Sequence, residues 1–199
     1  MVDQLHKQII DLQEKLTELT SPGNKRSTKS TLTAKYHFQD ITHVSTAMHD
    51  IITHCKQAAK SDSSVMIYGE TGTGKELIAQ SLHNASKRAN GPFLAINCAA
   101  LPEPLLESLL FGTERGSYTG AESRAGLFEQ ANHGTLLLDE LNSMNISVQS
   151  KLLRVLQDGM VRRVGSVSET HVDVRVLSSI NVPPYQAIAE VNLRQDLFY

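Results

Sequence analysis

Gly69, Glu70, Thr71, Gly72, Thr73, Gly74 and Lys75, with Glu76 next, form a spacing that suits one kind of chemistry. Glycines let backbone N–H groups approach and cradle an anion, and a lysine directly after the last one can reach terminal phosphates. The loop follows an apolar run at residues 64–68 and opens a helix-forming stretch, whose positive dipole end would face the same anion. This predicts a binding site for a nucleoside triphosphate, against the alternative of a glycine turn with a solvated lysine. Glu76 stands where such loops place the Ser or Thr that contacts Mg2+. The metal must then be held another way, through water and a second acidic group.

That second group is Thr135-Leu136-Leu137-Leu138-Asp139-Glu140, an apolar run ending in two carboxylates. Parallel sheets bind ligands at the C-terminal edge of their strands, where this run ends. Asp139 suits coordination of Mg2+, and Glu140 suits polarising an attacking water. Phosphoryl transfer also calls for a sensor of the terminal phosphate and a cation for the developing charge. Asn181 and Arg194 are candidates for these; equally, Asn181 could be a turn residue before Val-Pro-Pro and Arg194 a solvated charge beside Asp196. A third motif, Gly116, Ser117, Tyr118, Thr119, Gly120 and Ala121, interrupts the stretch between the two: an aromatic and a hydroxyl flanked by glycines. It reads as a hinged contact loop or as a plain surface turn.

Elements able to place these residues are visible in the pattern. Strand-like runs at 64–68, 92–97, 134–139 and 171–178 alternate with helix-like stretches at 45–60, 74–88 and 148–158. Such alternation predicts an α/β fold with a parallel central sheet covered by helices on both faces. Upstream, Leu5, Ile9, Leu12, Leu16 and Leu19 give residues 1–20 an amphipathic helical seam. It lasts under three heptads, so packing on its own domain and pairing with another helix both stay open. Residues 21–35, rich in Ser, Thr, Lys, Pro and Gly, read as a flexible linker, and the globular part begins at Tyr36.

Composition narrows the class. Of 199 residues, 40% are hydrophobic and 20% charged, with a net charge of -2, which fits a single main globular domain. No run approaches the roughly 20 apolar residues of a membrane span, and no secretory leader is visible, so a cytoplasmic location without membrane contact is expected. Two cysteines, Cys55 and Cys98, lie far apart without metal-ligand spacing and are expected to be reduced, buried thiols. The charge offers no basic footprint for nucleic acid.

Taken together, GETGTGKELIA, PFLAINCAALPEPLLESLLFG, GSYTGA, GLFEQANHGTLLLDEL, QSKLLRVLQDG with RRVG, VRVLSSIN and LRQDLFY closely resemble the AAA+ domain of bacterial enhancer-binding proteins, the ATPases that activate sigma-54 RNA polymerase. The resemblance covers residues 36–199 and implies a three-layer α/β sandwich of the P-loop AAA+ type. It implies that residues 69–76 and Lys75 bind ATP, that Asp139 serves Mg2+, and that Glu140 activates water. Asn97 matches an asparagine that holds the catalytic glutamate in a switch. Arg194 matches the first of two arginine fingers that reach a neighbour's site when the protein self-associates into a ring. Residues 116–121 match the GAFTGA loop, which in related proteins grips sigma-54 in the polymerase holoenzyme. Within the family, SLLFGTERGSYTGA is similar to Gram-positive regulators of arginine and other amino-acid catabolism.

The departures are Ser117 and Tyr118 for Ala and Phe, His133 for Gly, Ile180 for Thr, and His43 for a glycine near the adenine pocket. Each leaves the catalytic groups in place. The resemblance further implies that the chain stops before a second finger, a helical lid and a C-terminal DNA-binding domain, and that residues 1–20 connect to an upstream sensor. Weak hydrolysis by these 199 residues alone follows from that, and a nucleotide-binding or dimerising piece without efficient hydrolysis is the alternative. A different P-loop enzyme is disfavoured by GSYTGA occurring together with INCAAL.

Overall fold

The computed structural model describes residues 33–117 and 122–198. The expected helix at 1–20, nearly all of the linker at 21–35, and Tyr118, Thr119, Gly120 and Ala121 of the insert lie outside the described residues.

From Ala34 onward the chain alternates helices and strands. Helix α1 (Thr46–Ala58) starts where Ser45 Oγ accepts the Met48 N–H at 3.2 Å, the bond expected of a serine N-cap. Strand β1 (Val65–Tyr68) runs into the glycine loop, and α2 (Lys75–Asn84) leaves it. Strand β2 (Phe93–Asn97), α3 (Glu103–Phe111), the short strands β3 (Gly112–Thr113) and β4 (Arg124–Ala125), and α4 (Leu127–Gln130) follow. Next come β5 (Thr135–Asp139), α5 (Ile146–Asp158) capped by Asn145, β6 (Met160–Arg162) and β7 (Glu169–His171). Strand β8 (Arg175–Ile180) and helices α6 (Pro184–Ala189) and α7 (Gln195–Phe198) complete it.

The central sheet has the order β1-β8-β5-β2, and each of its three pairings is parallel. Register sets Leu137 beside Ala95 and Leu177, and Asn97 beside Asp139. Strand alternation then divides the core into two layers. Leu136, Leu138, Val176 and Ile180 pack with Leu106, Leu110, Val148 and Leu152 of α3 and α5. Leu137 and Leu177 turn to the opposite face, against Ile78, Ala79 and Leu82 of α2 and Ile52 of α1. Both faces are therefore covered, as the apolar strands require, and each fully buried leucine contributes roughly 1.5 to 3 kcal/mol over exposure.

The sheet's N-terminal edge is held by Arg175, which is 1% exposed. Its Nη2 donates to Ala58 O at 2.9 Å and its Nε to Ser63 O at 3.2 Å, so a buried guanidinium satisfies one carbonyl at the end of α1 and one in the segment before β1. Arg88, past α2, pairs with Asp62 at 3.1 Å and Asp173 at 2.5 Å.

Several boundaries differ from the sequence-based expectation. The run at 171–178 is not one strand: His171 ends β7 in an antiparallel ribbon with β6, and Arg175 starts β8. Between them the Asp173 N–H turns to Asn132 Oδ1 at 2.7 Å, which breaks the strand. Helix α2 stops at Asn84 rather than 88, where Ser86 Oγ bonds the His83 carbonyl. Helix α5 begins two residues before 148, because Asn145 caps it. Of the cysteines, Cys98 is buried but Cys55 is only half-buried, and both are free. Among the described residues no helix is long and apolar enough to cross a membrane.

Candidate functional site

All four central strands run parallel and end at one edge, and the expected chemistry gathers there. Gly69 follows β1 and donates its N–H to Ile180 O at the end of β8 at 3.2 Å. The loop then turns through Gly72 and Gly74, with φ of 83° and 85°, a left-handed backbone that glycine adopts without Cβ strain. At Gly69 a Cβ would lie 2.9 Å from Thr73 Oγ1, which itself donates to Glu70 O at 2.7 Å. Lys75 Nζ donates to Gly69 O at 2.7 Å and Glu70 O at 2.9 Å, so the ammonium sits over the loop it follows. Thr71 is exposed, as is Glu70 beside it. Glu76, also exposed, accepts from Gln80 Nε2 at 3.0 Å, one helical turn on. Its charge is tied along α2 at the favourable N-terminal end of the helix.

Asp139 ends β5 between β2 and β8. Ser179 Oγ donates a short hydrogen bond to Asp139 Oδ1, and Asn97 Nδ2 donates to Oδ2 at 3.4 Å. The Asn97 oxygen accepts the Ala99 N–H at 2.8 Å. Asn97 thus contacts the first acidic residue, Asp139, where the resemblance implied a hold on Glu140. Glu140 has φ 54° and ψ 49°, a left-handed conformation that is uncommon outside glycine, and its N–H donates to Ser179 Oγ at 3.2 Å. Such backbone strain clusters at functional sites. Burial first, and then the charges of Asp139 and Glu140, push the Cys98 thiol up to about 12.

Asn181 follows β8 directly, and its Oδ1 accepts from Asn142 Nδ2 at 3.1 Å. Arg194 lies elsewhere, against α5: its Nη1 donates to Ser150 Oγ at 3.0 Å, while Nε and Nη2 pair with Asp196 at 2.9 and 2.5 Å. The structure therefore joins Gly69 to Glu76, Asn97, Asp139, Glu140 and Asn181 along neighbouring strand ends and leaves Arg194 bonded to a separate helix. Ser179, 1% exposed, is a site residue that sequence reasoning missed. Its signal was the pair Ser178-Ser179 in a strand whose other residues after Arg175 are apolar.

Asp139 tests the fit for a metal. Each of its carboxylate oxygens accepts one hydrogen bond, which leaves lone pairs for a cation or a cation-bound water. Among the described residues no group of three or more His, Cys, Asp or Glu forms a metal cage. That donor set fits Mg2+, which keeps several waters and is bound by one or two carboxylates plus substrate phosphates.

The insert leaves the body between β3 and β4, which pair antiparallel as Gly112 with Ala125 and Thr113 with Arg124. Its base is clasped by the segment after β6. Arg163 pairs bidentately with Glu129 at 2.9 and 2.7 Å and reaches Ser123 Oγ at 3.0 Å, and Glu114 N donates to Val164 O at 2.9 Å. Gly165 meets Ser117 so closely that a Cβ there would lie 2.4 Å from the Ser117 Cβ. Gly116 has φ 84°.

The sigma-54 interaction domain family matches residues 41–199. The chain is 54% identical over 164 residues to the transcriptional activator RocR of Bacillus subtilis, covering 82% of this chain and 36% of RocR. It is 51% identical over 156 residues to the regulatory protein AtoC of Escherichia coli, covering 78% of this chain and 34% of AtoC. The chain thus spans about a third of the length of these curated relatives. Among solved structures, NtrX from Brucella abortus in complex with ATP has a TM-score of 0.73 at 35% identity, covering 96% of this chain and 40% of that one. The P-loop NTPase domain of the sigma-54 transport activator from E. coli, at 18% identity and a TM-score of 0.55, shares the fold, covering 79% of this chain and 91% of that one.

Proposed function

The chain belongs to the sigma-54 interaction domain family, and from that premise we propose that it is the ATP-hydrolysing motor of a sigma-54-dependent transcription activator, acting on RNA polymerase holoenzyme. One observation carries the reading: the glycine loop with Lys75, the Asp139-Glu140 pair and Asn181 end three adjacent parallel strands, β1, β5 and β8. In this reading the loop N–H groups and Lys75 hold the phosphates of ATP, and Asp139 holds Mg2+ with its waters. When bound, the ion neutralises charge that develops on the transferred phosphoryl group. Glu140 accepts the proton of the attacking water, and Ser179 keeps both acidic residues in register. Asn97, bonded to Asp139, is the switch element, and Asn181 senses the terminal phosphate.

Arg194 acts on the site of a neighbouring copy in a self-associated ring. Its own bonds, to Ser150, Asp196 and the Gln149 side chain, support a role away from its own phosphate loop. Residues 116–121 form the surface that engages sigma-54, and the Arg163 clasp supports their base. DNA recognition belongs to a separate C-terminal domain of the full-length protein. The second reading, nucleotide binding without efficient hydrolysis, applies to these 199 residues as isolated copies, because Arg194 would then have no neighbour to serve.

ATP turnover measured over a range of protein concentrations tests the assignment. Turnover per copy should rise with concentration, and vigorous turnover by a dilute monomer would overturn the role of Arg194 in a neighbour's site. In the full-length protein, Thr119→Ala should abolish polymerase activation while sparing ATP turnover; equal loss of both would overturn the insert as a separate output loop.

A further inference from the structure

Gln149 is completely buried, and its carboxamide joins three stretches of backbone. Nε2 donates to Met144 O at 2.8 Å and to Asn192 O at 2.9 Å, while Oε1 accepts the Arg194 N–H at 3.0 Å. Both amide hydrogens and the oxygen are used, so the group meets the condition under which a buried polar side chain is tolerated. Its neighbours on the inner face of α5, Val148 and Leu152, are apolar, which makes the glutamine an exception there.

The three partners are not equivalent. Met144 closes the turn that begins at Glu140, whereas Asn192 and Arg194 belong to the segment after α6. Buried Leu193 seats that segment between them. The Arg194 guanidinium, by contrast, is partly exposed on Asp196 and Ser150, contacts that water or another acceptor can replace. The base of the side chain is thus fixed and its head is free to change partners.

We propose that Gln149 is a positioning residue for Arg194: it fixes the backbone from which the guanidinium reaches a nucleotide on a second copy, and ties that backbone to the turn following Glu140. This rests on the reading of Arg194 as acting in a neighbour's site, and subunit mixing separates the two. In the full-length protein, Gln149→Met removes the hydrogen bonds at nearly constant volume. Alone it should lower ATP turnover at least about tenfold, as expected when a group for transition-state charge is misplaced. Glu140→Gln is inactive in its own site but keeps an intact Arg194. Mixing it with Gln149→Met should restore turnover, because each Gln149→Met site can then receive Arg194 from a Glu140→Gln neighbour.

Mixing Glu140→Gln with Arg194→Ala serves as the reference. If that pair regains turnover and the Gln149→Met pair does not, the positioning role is overturned and the reading of Arg194 stands. If neither regains it, the reading fails and the proposal falls with it. Wild-type turnover by Gln149→Met alone would also overturn the proposal. Should Gln149→Met not fold, Gln149→Ala, which removes the same three hydrogen bonds but leaves room for a water at the freed carbonyls, takes its place in the same mixtures. Amide exchange gives a further check: Arg194 N–H should exchange faster in the variant while the N–H groups of β5 and β8 stay protected.

Discussion

Ser179 Oγ donates to the Asp139 carboxylate, and the same oxygen accepts the N–H of Glu140 at 3.2 Å. One hydroxyl on β8 therefore fixes both acidic residues at the end of β5. Ser179→Ala leaves the Glu140 N–H and one Asp139 oxygen without that partner, at a cost of about 1 to 3 kcal/mol in stability. Turnover should fall further than ATP affinity does, because the phosphate loop is untouched. Chemical denaturation together with nucleotide titration checks this, and unchanged turnover would remove Ser179 from the site.

Lys75 and Glu140 should separate binding from chemistry. Lys75→Ala removes the ammonium next to the loop and should lose most ATP affinity. Glu140→Gln keeps the size of the side chain and removes the proposed base, so ATP should still bind while turnover falls by roughly 10² to 10⁴. Calorimetric titration with ATP, paired with a phosphate-release assay, reads both. Loss of binding in Glu140→Gln would mean that the residue supports the loop rather than the water.

Strands β1, β2 and β5 were legible in the sequence because buried parallel strands are short apolar runs, here closed by Gly69, Asn97 and Asp139. The phosphate loop and the acidic strand end were legible because their residue types are dictated by chemistry. What escaped reading depends on partners distant in sequence. Nothing local marks Asn132 as the residue that breaks 171–178 into two strands, since it lies 41 positions from Asp173. Gln149 looked like any polar helix residue, because its bonds to Asn192 and Arg194 exist only once α5 and the segment after α6 meet. Asn97 is identifiable from its motif, yet its register opposite Asp139 directs it there rather than to Glu140.

Val191 holds φ at 59° and is 69% exposed. Its N–H bonds Ile188 O at 3.0 Å and the Asn192 N–H bonds Ala187 O at 2.8 Å, the pair of contacts by which a helix ends on a left-handed residue. Glycine is favoured there, and a β-branched side chain is strained. Val191→Gly should stabilise the chain by about 0.5 to 1 kcal/mol after glycine's greater freedom in the unfolded state is subtracted. His133, with φ 62°, should gain less on change to glycine, because its ring contact with Asp173 at 3.3 Å is lost. Urea denaturation of both variants ranks them, and destabilisation by Val191→Gly would show that the valine side chain contributes more than its backbone costs.

His83 gives stability a pH dependence of known sign. Its ring is 1% exposed and its Nδ1 hydrogen-bonds Thr135 Oγ1 at 2.8 Å. Burial first, and the nearby Arg175 charge second, lower its pKa from 6.5 to about 4. Above pH 6.5 the ring is neutral in both states, and its contribution is complete. As pH falls below that value the unfolded chain takes up a proton that the folded chain refuses, so stability declines until about pH 4, where the folded ring also protonates. The slope in this window is at most about 1.4 kcal/mol per pH unit. His83→Asn keeps a group able to bond Thr135 but cannot titrate, and should be less stable than wild type at neutral pH. Its deficit should shrink steadily as pH falls through the window, in urea denaturation of both proteins at matched pH. Carboxylates such as Asp173 and Glu129, held low by Arg88 and Arg163, titrate alike in the two proteins and cancel in the difference. A deficit that stays constant with pH would mean that His83 is not held neutral by the fold.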